Sequence, residues 1–243
     1  ESSARVIIQL IAAVAIAFAR EGADVALSYL PEEQVDAEAI AEIVRADGRT
    51  AVLLPGDIRD REFCRTLVAD AVAGLGGLDI LVNNAAHQVY HRTFDELDEA
   101  DLDRTIQTNM YAMFWITRDA LPHLGPGSTI INSTSVQGYN PSPMIVNYAS
   151  TKFAIIGFTK ALAADLAPRG IRVNAVAPGP VWTPLQVTDG QPSEKLDGFG
   201  ESSWLGRTSQ PVEQAPAYVF LASPESSFVV GEVINVNGGA NVP

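Results

Sequence analysis

The chain has 243 residues, 47% of them hydrophobic, which is enough to bury a substantial core and fits one α/β domain spanning residues 1–243. Its net charge of -13, from 29 acidic against 16 basic residues, would repel a phosphate backbone and an anionic membrane surface alike, so neither nucleic acid nor membrane is an expected partner. The single cysteine, Cys64, cannot close an internal disulfide; this fits a reducing, cytoplasmic setting, and Cys64 reads as an inert helix residue.

In chain order, short apolar runs bounded by Gly, Pro, Asn or Asp alternate with longer segments of helical period. Strands are predicted at 5–8, 24–29, 50–54, 78–82, 128–133, 171–176 and 233–236. Helices are predicted at about 10–21, 35–47, 60–74, 99–122, 146–167 and 211–222. Runs such as DILV and TII are hydrophobic almost without interruption, as strands covered on both faces must be. The fold class is therefore α/β, a single doubly wound parallel sheet of Rossmann type with helices on both faces.

Three stretches need separate treatment. Residues 6–19 (VIIQLIAAVAIAFA) follow Arg5 and end in Ala17-Phe18-Ala19, which resembles a secretory leader. The run is too short to cross a bilayer as a helix, and the ADVALSYL that follows reads as the next buried strand, so core elements are expected here and a secreted binding protein is the lesser reading. Because the sequence does not begin with Met, some residues are expected to precede it. The long irregular stretch at 183–210, rich in Gly, Pro, Ser and Gln, reads as a substrate lid over the carboxyl edge of the sheet, with a loose surface excursion as the alternative. The acidic run at 95–103 reads as a solvated helix start, where carboxylates suit the positive end of the helix dipole.

Chemistry is concentrated in four positions. Tyr148 and Lys152 are one helical turn apart, so they share a face, and an ammonium beside a phenol favours phenolate, drawing it down from about 10 toward neutrality. Ser135 stands just past a predicted strand end, where its hydroxyl could meet a substrate oxygen. Asn109 lies in an otherwise apolar helical segment and needs buried partners. Asn83 and Asn84 directly follow the strand DILV, where a dinucleotide would lie. His87, His91 and His123 show no evident carboxylate partner and read as loop residues, not zinc ligands.

Taken with GDI at 56–58, LDILVNNAA at 78–86 and GIRVNAVAPGPVWTP at 170–184, these positions resemble the short-chain dehydrogenase/reductase family over about residues 13–239. Within it, the phrases REGADVALSYLPEE and APGPVWTPLQ resemble a bacterial subgroup described as glucose and ribitol dehydrogenase-like or aldehyde-reducing. The resemblance implies an NAD(P)-dependent alcohol dehydrogenase/carbonyl reductase acting on a small polyol, sugar or aldehyde. It implies Tyr148 as general acid/base, Ser135 steadying the substrate oxygen, Lys152 binding the nicotinamide ribose, and Asn109 holding a water in a proton relay. It further implies cofactor contacts from Asp57 and Ile58 at the adenine, Asn83 and Ala85 at the adjoining ribose, and Pro178, Gly179, Val181 and Thr183 at the carboxamide. Members are commonly tetramers, so a homo-tetramer is implied, with the C-terminal GEVINVNGGANVP at an interface.

Two departures bear on the cofactor. The family's glycine-rich turn between first strand and first helix is missing, since no glycine occurs between Arg5 and Arg20. Either a loop of about five to eight residues belongs there, the preferred reading, or a true deletion has left a non-enzymatic binding or scaffold protein. The end of the second strand carries Tyr29 where an NAD enzyme has a carboxylate, so NADP is expected, with NAD possible. On the substrate side, Gln88, Gln137, Asn147 and Trp182 are expected to meet the ligand.

Overall fold

The computed structural model describes residues 3–9 and 12–239. Seven strands form one sheet: β1 (Arg5–Gln9), β2 (Asp24–Tyr29), β3 (Ala51–Pro55), β4 (Ile80–Asn83), β5 (Thr129–Ser133), β6 (Arg172–Pro178) and β7 (Val233–Val236). All neighbours are parallel, in the order β3-β2-β1-β4-β5-β6-β7. Parallel neighbours need crossovers, and these are the helices α1 (Ala12–Arg20), α2 (Gln34–Ala46), α3 (Arg61–Leu75), α4 (Glu99–Ile106), α5 (Ala112–Ala120), α6 (Val146–Leu166) and α7 (Pro211–Ala222). The strand order reverses between β1 and β4, which opens a crevice at the carboxyl edge of the sheet.

The two-residue side-chain period of each strand divides the core into two layers. In β2, Val25, Leu27 and Tyr29 pack on the side of α1, α2 and α7, whereas Ala26 packs with residues of α3, α5 and α6. Ile131 and Ile130 of β5, and Val176 and Val173 of β6, divide in the same way. The apolar run at 6–19 forms β1 and α1, with Val6, Val14, Ala15, Phe18 and Ala19 buried in the first layer. No helix among the described residues is long and apolar enough to cross a membrane.

The predicted strands recur within one or two residues at each end, and so do most of the helices. One does not: the helix expected at 99–122 is interrupted by a π-type turn at Gln107–Tyr111, which carries Asn109. Asp98 caps α4 by accepting from the Asp101 amide at 2.7 Å, so the acidic run at 95–103 spans the start of that helix. Leu10 and Ile11, where the first helix was expected to begin, and residues 240–243 of the C-terminal piece lie outside the described residues. Cys64 is buried on α3 with its Sγ 2.9 Å from the Ile58 carbonyl, and burial pushes the thiol up to about 12, which keeps it unreactive.

Leu27 of β2 is fully buried between the sheet and the layer of α1, α2 and α7. Truncation by Leu27→Ala is expected to cost about 2–5 kcal/mol in chemical denaturation, because the cavity between two packed layers cannot collapse.

Candidate active site

A cleft of about 1060 Å³ lies at the carboxyl edge of the sheet, walled by the strand ends and by part of the 183–210 segment. Tyr148, Lys152 and Ser135 all line it, and all three are buried. Tyr148 and Lys152 project together from the first turns of α6, while Ser135 stands two residues beyond β5. Gly138 lets the Ser135 loop close onto α6: a Cβ there would come within 3.0 Å of the Lys152 carbonyl and of Ile156. The Thr134 hydroxyl donates to that same carbonyl at 2.6 Å, locking loop to helix.

Lys152 Nζ donates to the Ser133 carbonyl at 2.8 Å and lies 5.3 Å from the centre of the Tyr148 ring. Ser133 is itself held, its hydroxyl donating to Asn84 Oδ1 at 2.8 Å and lying 2.7 Å from the phenol oxygen of Tyr218. Burial dominates the electrostatics. It pushes Tyr148 up to about 12 against the opposing hydrogen bond from Ser135, and it pulls Lys152 down to about 7. The expectation that the amine would bring the phenol toward neutrality is thus reversed. Desolvation penalises both charged forms, and an amine titrating near 7 is only partly cationic at neutral pH.

The other expected residues divide into two groups. Tyr29, Asp57, Ile58, Ala85, Pro178, Gly179, Val181 and Thr183 all line the cleft. Asp57 pairs with Arg59, which holds its carboxyl below the usual range, and the Tyr29 phenol donates to Gln34 Oε1 at 2.7 Å. Asn83 is a correction. As the last residue of β4 its side chain turns toward α5, donating to Thr117 Oγ1 at 3.0 Å and Asn132 Oδ1 at 2.9 Å, and it is the next residue, Asn84, that lines the cleft.

Asn109 also lies off the main cleft. Its Oδ1 accepts from the His87 amide at 2.7 Å, and its Nδ2 donates to the His87 carbonyl at 3.1 Å and to Thr151 Oγ1 at 3.0 Å. These are the buried partners its sequence context demands. They join the π-type turn to the loop after β4 and to α6 next to Lys152.

Of the residues expected on the substrate side, Gln137 and Gln88 line the cleft, and Asn147 and Trp182 do not. Asn147 is turned toward Thr105, donating at 2.9 Å, and Trp182 is 43% exposed. His91 has a carboxylate partner that the sequence did not reveal, Asp101 at 3.3 Å. Tyr218 was missed altogether, since a tyrosine among the apolar residues of a helix reads as core; only its burial beside the Ser133 hydroxyl marks it.

The arrangement matches known proteins. A family model described as an enoyl-(acyl carrier protein) reductase matches residues 11–241. The oxidoreductase YhxD of Bacillus subtilis is 51% identical over 230 residues, 93% of this chain and 77% of that protein. The NADPH-dependent aldehyde reductase 1, chloroplastic, of Arabidopsis thaliana is 43% identical over 236 residues, covering 95% of this chain and 82% of that protein. Among solved structures, a short-chain dehydrogenase from Burkholderia cenocepacia J2315 in complex with NADP superposes with a TM-score of 0.91 at 31% identity, covering 98% of each chain. The chain belongs to the short-chain dehydrogenase/reductase family, and it is an oxidoreductase.

The residues present would fit a dinucleotide of the kind bound in the Burkholderia structure at both ends of the cleft. The Asp57–Arg59 pair and Ile58 form one end, and Lys152, Tyr148 and the Pro178–Thr183 strand exit form the other. Between them Ala12 lines the cleft at the start of α1, and no glycine occurs in the sequence between Arg5 and Arg20.

Because three hydrogen bonds converge on one buried amide, Asn109→Ala is expected to lower stability by about 2–4 kcal/mol in equilibrium unfolding. A loss below about 0.5 kcal/mol would mean that these bonds do not carry the junction between the β4 loop and α6.

Proposed function

We propose that the chain interconverts a small carbonyl compound and its alcohol, with Tyr148 transferring the proton. The observation that carries this reading is the meeting of a phenol, a buried amine and a hydroxyl on one wall of the cleft. When bound, the nicotinamide group exchanges a hydride with the carbonyl carbon. The Ser135 hydroxyl holds the carbonyl oxygen, and Tyr148 donates its proton to that oxygen, so that an alcohol and a phenolate result. Lys152, tied to the Ser133 carbonyl, stabilises the phenolate whenever the amine is charged. Asn109 serves as a positioning residue that keeps the β4 loop and α6 in register.

Asp57 and Ile58 are assigned to the adenine end, Ala85 to the adjoining ribose with Asn84 in place of Asn83, and Pro178, Gly179, Val181 and Thr183 to the carboxamide. NADP is proposed ahead of NAD, supported by the engaged Tyr29 phenol at the end of β2 and by the NADP named for the Burkholderia structure. Asp36 lines the cleft as well and works against a 2'-phosphate, so the margin is small. Fluorescence titration is expected to give tighter binding of NADPH than of NADH; the opposite order would reassign the cofactor.

For the substrate, a polyol, sugar or aldehyde is supported by neutral hydrogen-bonding groups along the cleft, among them Gln137, Asn140, Gln186, Thr188 and Gln191. The 183–210 segment is read as a lid over one domain. A homo-tetramer in the cytoplasm completes the reading; the apolar residues exposed on α5 and α6, Phe114 and Phe153, support self-association.

Tyr148→Phe is expected to reduce turnover by about 10³-fold or more with an unchanged circular dichroism spectrum, in an NADPH oxidation assay over small aldehydes and sugars. Retention of more than about a tenth of the rate would remove Tyr148 from the proton transfer. The pH dependence has a definite sign. Reduction needs Tyr148 protonated and gains from Lys152 charged, so its kcat/KM should fall as pH rises through about 7, where Lys152 loses its proton, while Tyr148 at about 12 stays protonated.

A further inference from the structure

The 183–210 segment does not lie loosely on the surface. Its first turn, Gln186–Gly190, is a π-type turn whose last carbonyl, that of Gly190, accepts a hydrogen bond from Gln88 Nε2 at 2.6 Å. The two residues are 102 positions apart in sequence, and Gln88 is buried, with only 4% of its surface exposed. Gly190 is suited to this contact: a Cβ there would lie 2.2 Å from the Leu185 carbonyl oxygen and 3.1 Å from Gln88 Nε2, so a side chain would disturb both the turn and its partner. A second tie further along runs from Lys195 Nζ to Met144 Sδ at 3.2 Å, and the Met144 carbonyl accepts from the His91 amide at 2.9 Å. The loops after β4, β5 and β6 are thereby joined above the cleft wall that carries Ser135 and Tyr148.

The amide–carbonyl bond is the interior member of this set. It is shielded from water, unlike the exposed Lys195 contact, and an orphaned carbonyl at Gly190 would carry a desolvation cost that only opening of the turn could relieve. We propose that Gln88 is a positioning residue that clasps the 183–210 segment over the Tyr148 side of the cleft, setting substrate affinity and release without taking part in proton transfer. This role rests on the carbonyl-reduction reading for its kinetic consequence, but the clasp itself does not depend on it. Gln88, expected from sequence to meet the ligand, lines the cleft and turns its amide nitrogen to the lid backbone.

The test compares wild type with Gln88→Glu and Gln88→Met, two variants of similar length that lack the amide donor. Hydrogen–deuterium exchange of the cofactor-free proteins should show amides across 185–200 exchanging about fivefold or more faster in both variants, with β4 and α6 unchanged, as expected for the loss of one buried bond. KM for the aldehyde or sugar that the wild type turns over should rise by a similar factor while kcat stays within about twofold. Faster exchange confined to 185–200 supports the clasp even if no substrate is found, which separates its fate from that of the functional reading. Unchanged exchange, or exchange that rises throughout the chain in both variants, overturns it. A fall in kcat at constant KM would equally overturn it, by placing Gln88 among the groups acting on the transition state.

Discussion

The hydrogen bond from Lys152 Nζ to the Ser133 carbonyl is the contact on which the site depends, because it ties the end of the fifth strand to the first turns of the sixth helix. The helix brings Tyr148, the strand end brings Ser135, and the phenol and hydroxyl meet only if those two elements are in register. An amine brought 2.8 Å from a carbonyl inside a water-poor pocket has one strong acceptor and, among the described residues, no carboxylate partner. Desolvation therefore controls its charge, and the proton that a solvated lysine would hold to pH 10 is loosened near 7. The same loss of water keeps Tyr148 protonated, ready to act as an acid.

Around this contact the protein arranges a graded set of supports. Ser133 is fixed by Tyr218 and Asn84, the β4 loop and α6 are fixed by Asn109, and the loop after Ser135 is fixed against α6 by Thr134 and by the absent side chain at Gly138. Two of these supports act on α6 from different loops, so its position against the cleft wall is set from more than one side. By contrast the part of the 183–210 segment nearest the catalytic wall, 186–195, is tied to the loops after β4 and β5 by a buried amide and an exposed amine contact, as befits a part that has to admit and release a ligand.

The sequence made the seven strands and the catalytic spacing legible for a simple reason. Strands covered on both faces leave continuous apolar runs, and a four-residue spacing on a helix places two side chains on one face whatever else surrounds them. Three features were less accessible. The π-type turn at Gln107–Tyr111 arises from the tertiary ties of Asn109, while the local pattern from 99 to 122 is helical throughout. Whether Asn83 or Asn84 meets the cleft depends on where β4 ends, and a one-residue difference reverses the face. The charge states of Tyr148 and Lys152 were anticipated from proximity alone, and burial, which no spacing records, outweighed it. Gln88 illustrates the same limit, since its partner stands 102 residues away.

The most direct examination of the central contact is an NMR titration of the Lys152 ammonium, assigned by comparison with Lys152→Met. The buried amine bonded to Ser133 should titrate near pH 7, with a chemical-shift change confined to that range. An amine that titrates near its ordinary value of about 10.4 would show a side chain that water still solvates, and the burial on which this account of the site rests would then be wrong.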